Sequence, residues 1–384
     1  MIICHLCLNG PYNDGWNYQE NILPKYHAKA GHTVFQLVTP YMWYKTQIIE
    51  STEKEYVNKN GVHIIRLQAK KGIIGGTRFN RYPEVLNKLE EICPDILFIH
   101  DVQCLDMITV SKYLKAHKKC ITYVDNHSDF SNSARNWISK NIVHGIIWRM
   151  MAHIINPYVT KFYGVLPARV DFLINMYKLP KEKVELLVMG ADDDLVEEAI
   201  KKNARKIIRK KYDISDDVFL VMTGGKINSY RPETLDLMQA VRECQLKNVK
   251  LLIFGIVEES LKEEFNKLSD SPQIIYIGWV DSEETYNIMA AADLIVFPGL
   301  HSVMWEQAVG MGIPCIFRDI KGFRHVDVGG NAIFISDITS KTLKNRIEEI
   351  ASNEKMYKKM KSVAVDNGMS YFSYKEIAKK SINQ

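Results

Sequence analysis

Residues 218–233, Val218-Phe219-Leu220-Val221-Met222-Thr223-Gly224-Gly225-Lys226-Ile227-Asn228-Ser229-Tyr230-Arg231-Pro232-Glu233, decide the fold class. The apolar run predicts a strand at Val218–Thr223, the glycine pair predicts a turn that ends it, and the proline predicts the start of a helix. That is one strand-turn-helix unit. The same alternation extends in both directions. Upstream, strands are predicted at Ile2–Leu8, Thr33–Val38, Val62–Leu67, Ile96–His100, Cys120–Asp125, Phe162–Val165 and Val184–Val188, with helical periodicity near 17–30, 83–92, 105–117, 131–155 and 167–178. Downstream, strands are predicted at Lys250–Phe254, Gln273–Ile277, Leu294–Phe297, Cys315–Phe317 and Ala332–Ile335, with helices at 232–246, 258–268, 282–291, 303–311 and 340–366. Strands separated by helices predict parallel sheets, an α/β class rather than a sandwich or a bundle.

A chain of 384 residues exceeds what one hydrophobic core usually serves, so two domains are expected. Hydrophobic residues at 46% and charged residues at 25% exclude collagen-like, coiled-coil and disordered classes. The net charge of +5 is spread along the chain and forms no block suited to nucleic acid, which is not expected as a partner. Residues 190–217 are strongly charged and mark the boundary between the halves. The expected domains are 1–188 and 189–367, with 368–384 a terminal helix that either finishes the second domain or crosses back to the first. Ligands of open α/β sheets bind beyond the carboxyl ends of the strands, so two such sheets in tandem predict a cleft site.

MIICHLCLNG at the start has no basic region and no small-residue cleavage site, and is expected to be a strand rather than a signal peptide. No apolar run reaches the ~18 residues of a membrane span. Seven scattered cysteines predict reduced thiols in a cytoplasmic protein, and the Cys4-x-x-Cys7 spacing is expected to be packing, since residues three apart on a strand face opposite ways. No G-x-G-x-x-G dinucleotide fingerprint exists, and Thr223-Gly224-Gly225-Lys226 lacks the spacing of a P-loop. Asp192-Asp193-Asp194 reads as a helix cap rather than a metal cluster. No metal and no cofactor are expected.

Three segments sit just after strands. The first carries Gly225, Lys226 and Arg231, whose cations would grip a diphosphate or simply be solvated. The second, Phe297 to Cys315, turns through Pro298-Gly299 into a helix whose free N–H groups at Ser302, Val303 and Met304 favour an anion. In it Glu306 either accepts hydrogen bonds from a vicinal diol such as a ribose or serves only the helix dipole. The third is Tyr123 to Asp129 with His100-Asp101, where His127 is either cleft chemistry or structural.

As an ordered set these residues resemble the retaining nucleotide-sugar glycosyltransferases of family 4, also called group 1, with the GT-B fold. Asp14-Gly15-Trp16, then Ala30-Gly31-His32-Thr33-Val34, is similar to the family's glycine loop and G-H-x-V entry to the second strand. Pro94-Asp95-Ile96 to His100 and Tyr123 to Asp129 look like its P-D-(V/I)-x-x-x-H and x-x-H-(D/S) strand ends. Met189-Gly190-Ala191-Asp192 stands where the family has N-G-V-D. Lys226 and Arg231 fall on the cationic positions of G-R-x-x-x-x-K, interchanged. Ala292-Asp293-Leu294 with Pro298, and Glu306-Gln307-Ala308 with Gly312-Ile313-Pro314, look like A-D-x-x-x-x-P and E-A-x-x-x-G-x-P. One departure is Pro298, which occupies the place of a Glu that contacts the donor sugar; His301 is the nearest polar substitute.

The resemblance implies two Rossmann-like doubly wound domains facing a cleft, and a metal-independent hexosyl- or related transferase that moves sugar from a UDP- or GDP-linked donor with retention. It implies a glycan or lipid-linked acceptor and a place in surface polysaccharide or glycoconjugate synthesis. Lys226 and Arg231 would stabilise the leaving diphosphate, helped by Ser302–Met304, while Glu306 would hold the ribose. His127 would face the reacting sugar, and Gly15 and Gly225 would let backbone approach the donor. Residues 132–158 are rich in Trp and Ile and flanked by cations, so they read either as a membrane-surface contact at the inner face or as helices packed on the sheet. Two rival readings stay open, a nucleotide-sugar epimerase of the same fold and an inactive nucleotide-sugar-binding protein.

Overall fold

The computed structural model describes residues 1–45, 47–72, 79–229 and 232–383. They form two compact units, Met1–Met189 joined by the C-terminal segment from Ile377, and Gly190–Glu376.

In the first unit an eight-stranded sheet runs in the order Val184–Leu186, Lys161–Gly164, Ile121–Asn126, Ile96–His100, Ile2–Cys7, Thr33–Val38, His63–Arg66, Glu55–Val57. All neighbours are parallel except the last pair. Ile96–His100 is buried at all five positions, as a central strand covered on both faces must be. The sheet reverses its winding between Ile2–Cys7 and Ile96–His100. Loops that leave those two strands part to opposite faces and open a crevice at their carboxyl ends.

The second unit has six parallel strands in the order Ile274–Tyr276, Val249–Val257, Phe219–Ile227, Leu294–Phe297, Cys315–Arg318, Ala332–Ile335. Its winding reverses between Phe219–Ile227 and Leu294–Phe297, so Lys226 lies at one lip of the crevice and Pro298 at the other.

Several expectations need amending. The glycine pair does not turn the chain: Phe219–Ile227 stays in register with Val249–Val257 through Gly224, Gly225 and Lys226. Gly225 and its partner Gly255 have φ of +120° and +122°, and a Cβ on Gly255 would stand 1.8 Å from the Gly225 carbonyl oxygen. Two facing glycines thus let a strand continue where side chains would force a break. Residues 340–366 form separate helices, Ser340–Ser352 and Glu354–Val363, because Asn353 stops one and its side chain accepts the Met356 N–H (3.0 Å) to cap the other. An antiparallel hairpin, Tyr41–Tyr44 with Gln47–Glu50, was not legible. Residues 190–217 fold as helices Asp193–Lys201 and Ala204–Lys211, with Asp192 capping the first by accepting the Asp194 N–H (3.2 Å).

Asp293 shows how the second core is tied. It receives Arg205 (2.7 Å), the buried Arg209 (2.6 Å) and the Leu220 N–H (2.7 Å), which locks two elements to the start of Phe219–Ile227. The last helix, Tyr374–Ser381, ends within the first unit, where Ile377, Ala378 and Ile382 are buried. Tyr123 and Tyr163 donate their hydroxyls to the Ile382 and Lys380 carbonyls at 3.3 and 3.4 Å. All seven cysteines are free thiols.

Candidate functional site

In the first unit the crevice begins where Ile96–His100 ends. Asp101 follows in the left-handed region, φ +67°, with its N–H donating to the Asp125 carbonyl (3.1 Å). That backbone is costly for a non-glycine residue, and here it aims a buried carboxylate at the crevice, where Asn9 donates to it (3.1 Å). Ile121–Asn126 ends alongside and delivers Asp125 and then His127. The loop bearing His127 is braced: Asn132 donates to the His127 carbonyl (2.8 Å), Asp129 accepts the N–H groups of Ser131 and Asn132, and Arg169 pairs with Asp129 (3.2 Å).

Asp125 is fully buried, and its Oδ2 accepts from His100 Nδ1 (2.8 Å) and Gln19 Nε2 (3.2 Å). His127 Nε2 stands 3.3 Å away as an ion pair. Burial raises the Asp125 pKa, but the positive charge and hydrogen bonds of His100 and His127 outweigh it and hold the carboxyl far below its usual range. Burial lowers the His127 pKa, and Asp125, followed by Asp101 and Glu20, outweighs it and pushes it up to about 9. The side chain keeps 27% of its surface exposed, so solvent softens the effect without reversing it. At neutral pH His127 is an imidazolium, a hydrogen-bond donor and a fixed positive charge rather than a base.

Gly15 lies in the exposed turn ahead of helix Gln19–Lys29, with φ +77°. Asp14 anchors that turn by accepting from the hydroxyls of Tyr12 (3.1 Å) and Tyr56 and from Asn58 (3.3 Å). Gln19 then links the helix to Asp125, so the Gly15 turn and His127 share one polar scaffold.

In the second unit Lys226 is exposed, and its side chain has no ion-pair or hydrogen-bond partner among the described residues. Gly225 lies against the opposite lip: a Cβ there would come 3.1 Å from Met304 Cε. Arg231 lies outside the described residues. Ser302, Val303 and Met304 are half-buried at the start of helix Met304–Gly310. His301 and Glu306 are brought together one turn apart, with His301 Nε2 at 2.9 and 3.2 Å from the two carboxylate oxygens. His325, absent from the sequence reading, adds its Nε2 at 2.8 Å. Burial raises the Glu306 pKa, but His301 and then His325 outweigh it and bring it down to about 2. The carboxylate is 0% exposed, so a ribose could reach it only after it turned out of these bonds.

Two trios, His100 with Asp125 and His127, and His301 with Glu306 and His325, place ligand-type atoms within 4.8 Å of one another. In both, the carboxylate lies between imidazoles, and ion pairing accounts for the arrangement as it stands. Sequence reasoning placed Asp101 and Asp125 in its third segment without giving either a role, and missed Asn9, Gln19 and His325 as site residues. A signal existed for Asp125, since a carboxylate at the end of an apolar strand must find partners when buried.

A further cavity of about 550 Å³ in the first unit is lined by Lys70, Lys71, Phe79, Arg81, Leu105 and Asp106, with Arg81 paired to Asp106 (2.9 Å). On helical residues 137–150, Trp137, Ile138, Ile142, Ile146 and Met150 are exposed on one stripe, Trp137 at 70%, while His144, Trp148 and Met151 are buried. No helix among the described residues is long and apolar enough to cross a membrane.

Residues 204–365, which lie in the second unit, match the family model of glycosyl transferases group 1. Mannosylfructose-phosphate synthase of Agrobacterium fabrum is 21% identical over 225 residues, which are 55% of this chain and 49% of that protein; the chain thus matches about half the length of this curated relative. A glycosyltransferase from Rickettsia africae superposes with a TM-score of 0.71 at 14% identity, covering 100% of this chain and 97% of that one. Anabaena HepE in complex with UDP superposes at 0.70 and 14% identity, covering 100% and 99%. The fold is GT-B.

Proposed function

We propose that the chain is a metal-independent glycosyltransferase that moves a sugar from a nucleotide diphosphate donor, with retention at the anomeric carbon, to a glycan or lipid-linked acceptor. The observation that carries this reading is Lys226: an uncommitted cation at the switch point of a unit that matches glycosyl transferases group 1. The chemical demand is to stabilise charge growing on the departing diphosphate, and a cation fixed in a crevice does so without reorganising at the moment of reaction. Arg231 is the second cation of this assignment, and Gly225 with the N–H groups of Ser302–Met304 lets backbone approach the phosphates. Glu306 fixes His301, which faces the donor where Pro298 offers no carboxylate. In the first unit His127, held cationic by Asp125, donates to sugar hydroxyls, and the Gly15 turn lies beside it on the same scaffold. UDP is the first nucleotide to try, because HepE was crystallised with it.

The acceptor is proposed to bind the first unit, and the cavity bearing Lys70, Lys71 and Arg81 suits one with an anionic group. The exposed stripe from Trp137 to Met150 suits a membrane surface, where a lipid-linked acceptor resides. Flotation with anionic vesicles checks this: wild type should float and Trp137→Ser with Ile146→Ser should stay below, whereas equal behaviour of the two removes the contact.

Turnover tests the reaction. Donor and acceptor candidates are incubated in the presence of chelator and the product's anomeric configuration is read by NMR. Retained configuration supports the proposal. An epimerised donor in the absence of acceptor supports the epimerase reading, and bound but unconverted donor supports an inactive binding protein, which Pro298 favours.

A further inference from the structure

Behind Asp125 the first unit contains a continuous line of buried imidazoles. His100 Nε2 is 3.0 Å from His5 Nδ1, and His5 Nε2 is 3.0 Å from His27 Nδ1. His27 Nε2 is 3.0 Å from Ser381 Oγ and 3.1 Å from the Ala378 carbonyl oxygen, both on the last helix. All three rings are buried, in the centre of Ile2–Cys7, in helix Gln19–Lys29 and at the end of Ile96–His100.

Counting protons gives this line a direction. Each N···N or N···O contact needs one proton, and the line makes four: Asp125 to His100, His100 to His5, His5 to His27, and His27 to the last helix. Three neutral imidazoles carry three N–H protons. Both ends are acceptors. Asp125 is ionised, and a backbone carbonyl never donates. Ser381 Oγ has one proton and two acceptors in reach, Ala378 O at 2.7 Å and His27 Nε2 at 3.0 Å; assigning that proton to the shorter contact leaves the line one proton short. A buried contact of two lone pairs would cost the full desolvation of both groups.

We propose that His100 is an imidazolium, that His5 and His27 are neutral with their protons on Nε2, and that these three residues position Asp125 and His127 by transmitting the docking of the last helix. His100 then donates from both nitrogens, to Asp125 and to His5, and each following ring donates onward to end on Ala378 O. Burial disfavours charge on His5, whose pKa falls well below the usual value, and brings that of His27 to about 4, so the extra proton belongs at the Asp125 end. The charges then balance, with His100 and His127 positive against Asp125 and Asp101. The other titratable groups around the line are Cys7, a thiol raised well above its usual value by burial, with Glu20, His32 and Tyr123.

This inference does not depend on sugar transfer. The test is ¹⁵N NMR of the full chain labelled at histidine, with rings assigned by single His→Gln substitutions. At pH 7 His100 should have both nitrogens protonated, and His5 and His27 should have Nε2–H. Protonation of His5 and His27 on Nδ1, with His100 neutral, would overturn it. Ser381→Ala keeps the Ala378 acceptor, so all three rings should keep their signals; in the opposite direction this variant removes the only donor to His27 and moves its resonance. His27→Phe ends the line early and lets His100 become neutral. Loss of a neighbouring cation should raise the His127 titration by about one pH unit, a shift that purely structural damage would not give a fixed sign. An unchanged or lowered His127 titration in a folded His27→Phe variant contradicts the positioning role.

Discussion

At the first unit's switch point the charges are neutralised before any ligand arrives: Asp125 is buried among His100, His127 and Gln19, with a line of imidazoles behind it. At the second unit's switch point the Lys226 side chain stands exposed without a partner among the described residues, and only the supporting pair of His301 and His325 on Glu306 is closed. The first crevice is organised to present one fixed cation and to hold it in place. The second is proposed to receive an anion. Preorganised charge lowers the cost of a developing charge in the reaction, whereas an open cation draws binding energy from the ligand that completes it.

The largest effect should come from the open side. Lys226→Ala should lower kcat/KM for the donor about 10²–10³-fold, the loss typical of one preorganised electrostatic group, with melting temperature unchanged because the side chain is exposed. A mutant with full turnover would remove Lys226 from the reaction. On the closed side the same kind of removal should cost stability as well. Asp125→Asn leaves His100 and His127 facing a neutral acceptor and should destabilise the fold by about 3 kcal/mol, the scale for breaking a buried pair. Urea unfolding measures that cost, and an NMR titration should show His127 moving down from about 9 toward its ordinary range.

Acid and alkali should separate the two regions. His127 has a raised folded-state pKa, so its contribution to stability is whole below about 6.5, its unfolded value, and is lost as pH rises through about 9. Glu306 has a lowered one, so its contribution is whole above about 4.5 and is lost as pH falls through about 2. Chemical denaturation across pH should therefore weaken wild type relative to His127→Gln between about 7 and 9, and relative to Glu306→Gln between about 4 and 2. The smallest effect expected is on Lys70→Ala, a few-fold rise in acceptor KM with kcat retained, since a rim cation adds uniform binding.

Much of this was legible in the sequence for a physical reason. Runs such as Ile96–Ile99 are apolar throughout because both faces of a central parallel strand are covered, and that pattern needs no knowledge of partners. Asp293 stands out in the sequence as part of the motif Ala292-Asp293-Leu294, and its pairing with Arg205 and Arg209 supplies the reason for a carboxylate at the head of a strand. What escaped were features set by residues distant in the chain. Gly225 reads as a turn until Gly255 is seen beside it. His325 lies 19 positions from the carboxylate it holds, and His5 looks like an interruption of an apolar strand until His27 and His100 close on it. Short hairpins such as Tyr41–Tyr44 with Gln47–Glu50 escape because their exposed aromatics carry no alternation.

The central claim is that the second unit's switch point binds a nucleotide diphosphate through Lys226. Isothermal titration of UDP, GDP and ADP into wild type and Lys226→Ala tests it without needing the acceptor. One of the three nucleotides should bind wild type, and its affinity should fall by at least about tenfold in the variant, the scale of one charge-assisted contact. Binding of none of them, or equal affinity in the two proteins, would contradict the account.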